Sequence, residues 1–287
     1  MNPVVLYLAS GETLYVGGGI LLLTALFSHW AQSRWGIRVR NFLGIIGAIL
    51  LALSCAPLPW ILYGGLAAGF IGWFVAWNWG EKKWLRTGTS AAVAIMIATA
   101  VTMELPYRNG RILSYDRRHA HLTVIGDSIS AGIGGEPWPS IYANESRVQI
   151  KNLSRAGLVT GEAMTMANQV ETKDTLVLIE LGGNDLLMDV SAADFERDLN
   201  QLLQTLASPM RQVVMMELPL LPHKLQFGRI QRRLAEKYNV RLIPKRHFIQ
   251  VLAGADATSD GLHLSKTGAA KMSKLVDQFV GKTLRRH

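Results

Sequence analysis

The sequence predicts a two-part protein. About four apolar helices of membrane-crossing length come first, followed by an α/β domain whose parallel sheet is covered by helices on both faces (α/β/α). Three observations carry this expectation. Between residues 1 and 103 the only acidic residues are Glu12 and Glu81. The run 61–79 lacks the polar stripe that a surface helix of a soluble core would show. From residue 122 onward, short β-branched runs alternate with amphipathic helical patterns, as strands and crossover helices do. The boundaries predicted are a membrane region at 1–105, a basic linker at 106–120 and the α/β domain at 121–287.

Charged residues make up 18% of the 287 residues, below the soluble average of about 25%, and the deficit lies in the first part. Apolar segments are predicted at 3–27, 42–56, 58–79 and 89–103. A crossing needs about 20 mostly apolar residues, so the second and fourth segments must draw on their flanks. Glu12 would cost roughly 3 kcal/mol at mid-bilayer. Placed at the interface, it leaves Leu14 to Trp30 to carry the span. Trp30, Trp35, Trp60, Trp77, Trp79 and Trp84 stand near segment ends, as an interfacial belt would. The first segment has no positive n-region and more spans follow it, which argues against a removable signal peptide.

Basic residues set the orientation. Arg34, Arg38 and Arg40 fall between the first two segments, and Lys82, Lys83 and Arg86 between the last two. With four crossings both groups lie on one side, the cytoplasm by the positive-inside rule. The α/β domain then faces outward, although Arg108, Arg111, Arg117 and Arg118 follow the fourth span. The expected location is a bacterial inner membrane, multi-pass, with an extracytoplasmic domain. The net charge of +9 fits anionic lipid headgroups. It shows no basic and aromatic stripe of the kind nucleic acid needs, so no nucleic-acid partner is expected. The single cysteine, Cys55, allows no intrachain disulfide.

In the second part, strands are predicted at 122–125, 148–153, 175–181, 212–216 and 240–243. Helices are predicted at 161–169, 192–206, 230–238 and 266–280. Ligands of such sheets bind beyond the carboxyl ends of the strands. Chemistry-bearing residues do follow the strands: Asp127 and Ser128, then Asn152 to Gly157, then Gly182-Gly-Asn-Asp185, and finally Asp260-Gly-Leu-His263.

Ser128 is a nucleophile only if a base takes its proton. His263 is the leading base, because Asp260 three residues earlier can fix its ring and stabilise the imidazolium. His223, after the fourth strand, is the runner-up. Attack on an ester or thioester makes an oxyanion. Its candidate donors are the backbone N–H groups of Ser128 and Gly157 and the side-chain amide of Asn184, each worth roughly 3 kcal/mol. Taken singly, each motif is also an ordinary turn or cap; the four together, in order, favour chemistry. His119 and His121 lack a further ligand cluster, so no metal and no cofactor are expected.

With these residues the sequence resembles the SGNH (GDSL) hydrolase family, over roughly 122–280 and not in the membrane part. The matching blocks are Gly126-Asp-Ser-Ile-Ser130, Gly157, Gly182-Gly-Asn-Asp185 and Asp260-Gly-Leu-His263. Within the family, Val177 to Asp185 and Ser128 to Gly132 with Trp138-Pro139 look like bacterial thioesterase I/lysophospholipase enzymes. The resemblance implies a flavodoxin-like domain, with Ser128 as nucleophile, His263 as base and Asp260 as its orienter. It also implies Ser128, Gly157 and Asn184 as oxyanion donors.

The expected function is a membrane-tethered serine esterase acting on acyl lipids or cell-envelope esters, with the bilayer as a partner. An O-acetylesterase or acyltransferase acting on envelope glycans is a second reading. A membrane scaffold or transport protein with a hydrolase-like domain is a third, weakened by the near absence of ionisable residues in the spans. Leu186, Leu187 and Met188, and the run Leu218 to Pro222, either line an acyl groove or pack as core or lid. Lys224, Arg229, Arg232 and Arg233 either meet anionic headgroups or form a solvated helix face.

Overall fold

The computed structural model describes residues 2–31, 33–110 and 119–284. Most of the expected basic linker, with Arg111, Arg117 and Arg118, lies outside the described residues. The chain forms two compact units. One comprises Tyr7–Arg108 with Leu221–Leu225, the other Met1–Leu6, Asn109–Leu220 and Gln226–His287.

A short helix, α1 (Pro3–Ala9), precedes the four long apolar ones: α2 (Thr13–Phe27), α3 (Arg34–Ala52), α4 (Trp60–Asn78) and α5 (Lys83–Asn109). Four helical stretches, Thr13–Trp30, Arg34–Ala52, Trp60–Asn78 and Lys83–Asn109, are long and apolar enough to cross a membrane. The first apolar segment is broken rather than continuous. Gly11 has φ +81°, a left-handed backbone that ends α1 and lets α2 start afresh. Helices α2 and α3 meet through Gly17 and Gly47, where a Cβ on Gly17 would come within 2.8 Å of the Gly47 carbonyl oxygen. Small residues permit this backbone approach, and in an apolar solvent close packing is the main attraction between helices. Leu14, Leu21, Trp73, Trp77, Val93 and Ile97 are among the side chains that fill the interior.

Three expectations are corrected in this unit. Arg34, Arg38 and Arg40 stand on α3 itself, because Ser33 caps that helix through the Gly36 N–H and shortens the preceding loop. Arg40 is buried, its guanidinium donating to Asn41 Oδ1 (2.9 Å) and Asn78 Oδ1 (3.1 Å). Trp77 is interior rather than part of a belt and donates to Ser90 Oγ at 3.0 Å. Trp30, Trp35, Trp60, Trp79 and Trp84 are exposed. Glu12 pairs with Arg108 at 3.0 Å.

The other unit is an α/β/α domain. Its strands are β1 (His121–Gly126), β2 (Gln149–Asn152), β3 (Leu176–Glu180), β4 (Gln212–Met216) and β5 (Arg241–Ile243). All pair in parallel in the order β2-β1-β3-β4-β5. Strand β3 is buried throughout, which explains its unbroken apolar run Leu176-Val-Leu-Ile. The helices are α6 (Ser128–Ala131), α7 (Trp138–Ser146), α8 (Met164–Ala167), α9 (Gly183–Leu187), α10 (Ala192–Leu206), α11 (Leu225–Lys237), α12 (Lys245–Leu252) and α13 (Lys266–Val280). Helix α13 packs against both α7 and α12, and α8 packs against α10. Phe195 of α10 meets Phe227 of α11 at 4.7 Å.

The expected helix at 161–169 is a one-turn 3-10 helix, Thr160–Glu162, followed by the single turn of α8. Helix α7 was not anticipated; Pro137 and Pro139 at its start favour the first turn of a helix. In the order β2-β1-β3 the chain leaves β1 to one side and returns on the other. That reversal opens a crevice at the carboxyl ends of β1 and β3.

Candidate active site

Strand β1 ends at Gly126, and the chain turns at once into α6, with Ser128 as its first residue. Asp127 caps that helix, its Oδ1 accepting from the Ile129 N–H at 3.0 Å. Gly126 is required at the turn, since a Cβ there would lie 2.7 Å from both Ser130 Cβ and Oγ. Ser128 is therefore held at a tight strand-to-helix corner and is itself largely buried.

The loop after β2 brings Gly157, which has φ +73° and open space where a Cβ would stand. Backbone conformation, not crowding, is what calls for glycine there. The loop after β3 begins with Gly182, at φ +106° and with Leu218 2.7 Å from where a Cβ would stand, and leads into α9 with Asn184.

The Asn184 amide joins these loops. Its Nδ2 donates to the Leu158 carbonyl at 3.0 Å, beside Gly157, and reaches Asp127 Oδ2 at 3.4 Å, beside Ser128. Asp185 strengthens the arrangement by accepting from the Thr160 N–H (3.0 Å) and hydroxyl (3.0 Å). Burial pushes the Asp185 carboxyl up, and the Thr160 donors oppose that shift.

On the loop before α13, His263 Nδ1 meets Asp260 Oδ2 at 2.6 Å. The Leu262 and His263 N–H groups both donate to Asp260 Oδ1, at 2.9 and 2.8 Å. The His263 ring bond, then these backbone donors, hold the Asp260 carboxyl well below its ordinary value. Asp260 therefore stays ionised and fixes the ring with Nδ1 facing it. The loop that carries His263 packs beside the turn after α6: a Cβ on Gly134 would stand 3.6 Å from His263 Cβ and 2.7 Å from Ser259 Oγ. Among the described residues no hydrogen bond joins Ser128 Oγ to His263. Such bonds are often long before substrate arrives.

Other anticipated residues fall elsewhere. His119 bonds Thr175 and Gln212 (both 2.9 Å), and His121 bonds Asp174 (2.6 Å), at the opposite edge of the sheet. Leu218 and Leu220 are buried, and Leu218 packs against Gly182. Arg232 is buried and paired with Glu217 at 2.7 Å, and Arg233 pairs with Glu196 at 2.6 Å.

The model of the GDSL-like Lipase/Acylhydrolase family matches residues 124–271, just over half of the chain. The chain belongs to this family. Esterase TesA of Pseudomonas aeruginosa is 29% identical over 159 residues, covering 50% of this chain and 78% of the relative. An Arylesterase of Vibrio mimicus is 29% identical over 180 residues, covering 57% and 89%. Thioesterase 1/protease 1/lysophospholipase L1 of Escherichia coli is 29% identical over 135 residues, covering 43% and 65%. The crystal structure of the psychrotrophic esterase EstA from Pseudoalteromonas sp. shares the fold, with a TM-score of 0.50 at 21% identity, over 57% of this chain and 97% of that one. The α/β unit of this hydrolase is thus an SGNH-type carboxylic ester hydrolase.

Ser130, Trp138 and Glu180 stand inside the motifs quoted from the sequence, where they carried no assigned role; the structure joins them behind the Ser128 corner. The signal was an acid closing an otherwise apolar strand, a position that water does not reach.

Proposed function

We propose that the protein is a membrane-tethered serine esterase that cleaves acyl lipids through an acyl-enzyme intermediate. The observation that carries the chemistry is the Asp260–His263 pair, on a loop that packs against Gly134 just after α6, together with the Ser128 corner and the Asn184 bridge. With Nδ1 held by Asp260, His263 Nε2 takes the Ser128 proton as Oγ attacks the ester carbon. The oxyanion is received by the Ser128 and Gly157 N–H groups and by Asn184 Nδ2. His263 then hands its proton to the departing alcohol, and a water activated by the same ring releases the acid.

The surface around these residues supports a lipid acyl group. Large hydrophobic side chains stand exposed beside them: Ile133 (44%) after α6, Leu187 (63%) and Met188 (61%) after Asn184, and Leu262 (41%) between Asp260 and His263. Isolated exposed hydrophobics are ordinary, but ones that follow the site loops mark a binding surface. The long apolar helices support tethering to a bilayer, and the side on which Arg34, Arg38, Lys82 and Lys83 lie supports an outward-facing hydrolase unit.

A fluorophosphonate probe should label the full-length protein, and Ser128→Ala should abolish labelling; labelling that survives the substitution removes Ser128 as nucleophile. A chain-length series of p-nitrophenyl esters should favour longer acyl groups, whereas activity confined to acetate would favour the O-acetylesterase reading. A reporter active only outside the cytoplasm, fused after His287, should be functional.

A further inference from the structure

Two carboxyl groups are buried back to back beneath the Ser128 corner. Glu180, the last residue of β3, pairs in register with Gly126, and its carbonyl accepts the Asp127 N–H at 3.2 Å. The Glu180 and Asp127 side chains lie within hydrogen-bonding reach of each other, and each is about 5% exposed or less. Two carboxylates in contact away from water cannot both ionise cheaply. The strongest influences on the pair come from Ser130, Ile129, Asp185 and His263, and no lysine or arginine is among them.

The hydrogen-bond directions decide which group carries the proton. Trp138 Nε1 can only donate, and it donates to Ser130 Oγ at 3.0 Å. The Ser130 hydroxyl hydrogen is then spent on Glu180 Oε2 at 2.9 Å. Glu180 thus receives the Ser130 hydroxyl, and the Asp127 N–H bears on its carboxyl as well. Asp127 receives the Ile129 N–H and faces the Asn184 amide. Asp127 caps α6, where a helix-terminal N–H favours a carboxylate, so it keeps the charge and Glu180 keeps the proton.

We propose that Glu180 and Asp127 hold one proton between them, resident on Glu180, and that neutral Glu180 is the positioning residue that steadies Asp127 against Ser128 and Asn184. The pair then bears a single negative charge. Asp127 spends its lone pairs on the Glu180 proton, the Ile129 N–H and, weakly, Asn184 Nδ2. The long 3.4 Å contact leaves that amide hydrogen able to turn to an oxyanion. Loss of that shared proton would put two charges behind the corner, pull Asn184 toward Asp127 and withdraw it from the reaction. Burial first, then the neighbouring carboxylate, raises Glu180 well above the ordinary range, in keeping with this arrangement. The inference rests on the roles given to Ser128 and Asn184 above.

The test uses the full-length protein in lipid nanodiscs. Infrared spectra of wild type at pH 8 should show a protonated-carboxyl C=O band that Glu180→Gln lacks. No band in wild type, or an equal band in the variant, overturns the proposal, and this readout needs no turnover. In ester hydrolysis at pH 7, E180Q, which mimics the neutral acid, should keep kcat within about tenfold of wild type. E180A should lose on the order of a hundredfold in kcat, as a displaced reacting group does, with KM little changed. Wild type should show an alkaline decline in kcat that E180Q lacks. Equal kcat losses in the two variants, or an unchanged alkaline limb in E180Q, would overturn the positioning role. Failure of the fluorophosphonate probe to label wild type would instead strike the assignment of Ser128 and leave the infrared result standing.

Discussion

The two edges of the sheet treat buried acid in opposite ways. At the amino edge, Asp174 is buried but held by His121 (2.6 Å), Lys151 (3.0 Å) and the Glu171 N–H (2.9 Å). Although burial pushes its carboxyl up, these partners outweigh it and hold Asp174 below its ordinary value. At the carboxyl edge, Asp127 and Glu180 are both raised by burial; the Asp127 charge raises Glu180 further, while the Ile129 N–H and the Glu180 hydrogen bond offset part of the rise at Asp127. One edge is built for stability; the other carries strain behind the loops that bear Ser128 and Asn184. The same fold accommodates both because the carboxyl edge opens at the strand-order reversal while the amino edge is closed by short-range pairing.

Exchanging one histidine at each edge breaks the comparison most sharply. His263→Ala should lower kcat by about 10⁴-fold or more, as loss of a base paired to a nucleophile does. His121→Ala should leave kcat near wild type while lowering the urea midpoint of the α/β unit. A kinetic loss in H121A comparable to that in H263A would mean that the edges do not divide their work in this way.

The next effect is on stability and its pH dependence. Asp174→Asn should cost about 2 kcal/mol near neutral pH, less than a fully buried pair because His121 and Lys151 are partly exposed. A carboxyl held low in the folded state stabilises above its unfolded pKa, and that contribution disappears as pH falls through the folded value. The gap between wild type and D174N should therefore close in acid, as followed by urea unfolding from pH 7 downward.

The smallest effect has the opposite sign. Glu180 keeps its proton in the folded protein at pH values where the unfolded chain has released it, so its burial costs stability increasingly as pH rises above the unfolded pKa. Glu180→Gln should raise the Tm at pH 8, by about 1 kcal/mol in stability, and do little at pH 4. A variant stabilised equally at both pH values would show that packing, not ionisation, is responsible.

Much of this was legible from residue order. The apolar run of α4 and the β-branched runs of β1, β3 and β4 announce themselves because burial on all sides removes the need for polar residues. The four blocks ending at His263 could be read because each follows a strand, and open parallel sheets present their ligands there. The local spacing of Asp260 and His263 was sufficient to pair them. Where local signals were weak, the reading slipped. Helix α7 begins with prolines that also suit a loop, and the stretch 160–167 has too short a pattern to separate one turn of helix from another.

What the sequence by itself determined, then, is the division into an apolar helical region and a parallel α/β domain, together with Ser128, Asn184, Asp260 and His263 as candidates. Periodicity and motif spacing are properties of neighbouring residues, so no folded coordinates are needed to see them. The tertiary structure decided what distant residues do to one another. It buried Arg40 between Asn41 and Asn78, made Leu218 and Leu220 interior, and set Glu180 against Asp127 across two strands separated by fifty residues of chain. A carboxyl's charge state depends on the solvent, donors and charges that surround it in space, and only the fold brings those together.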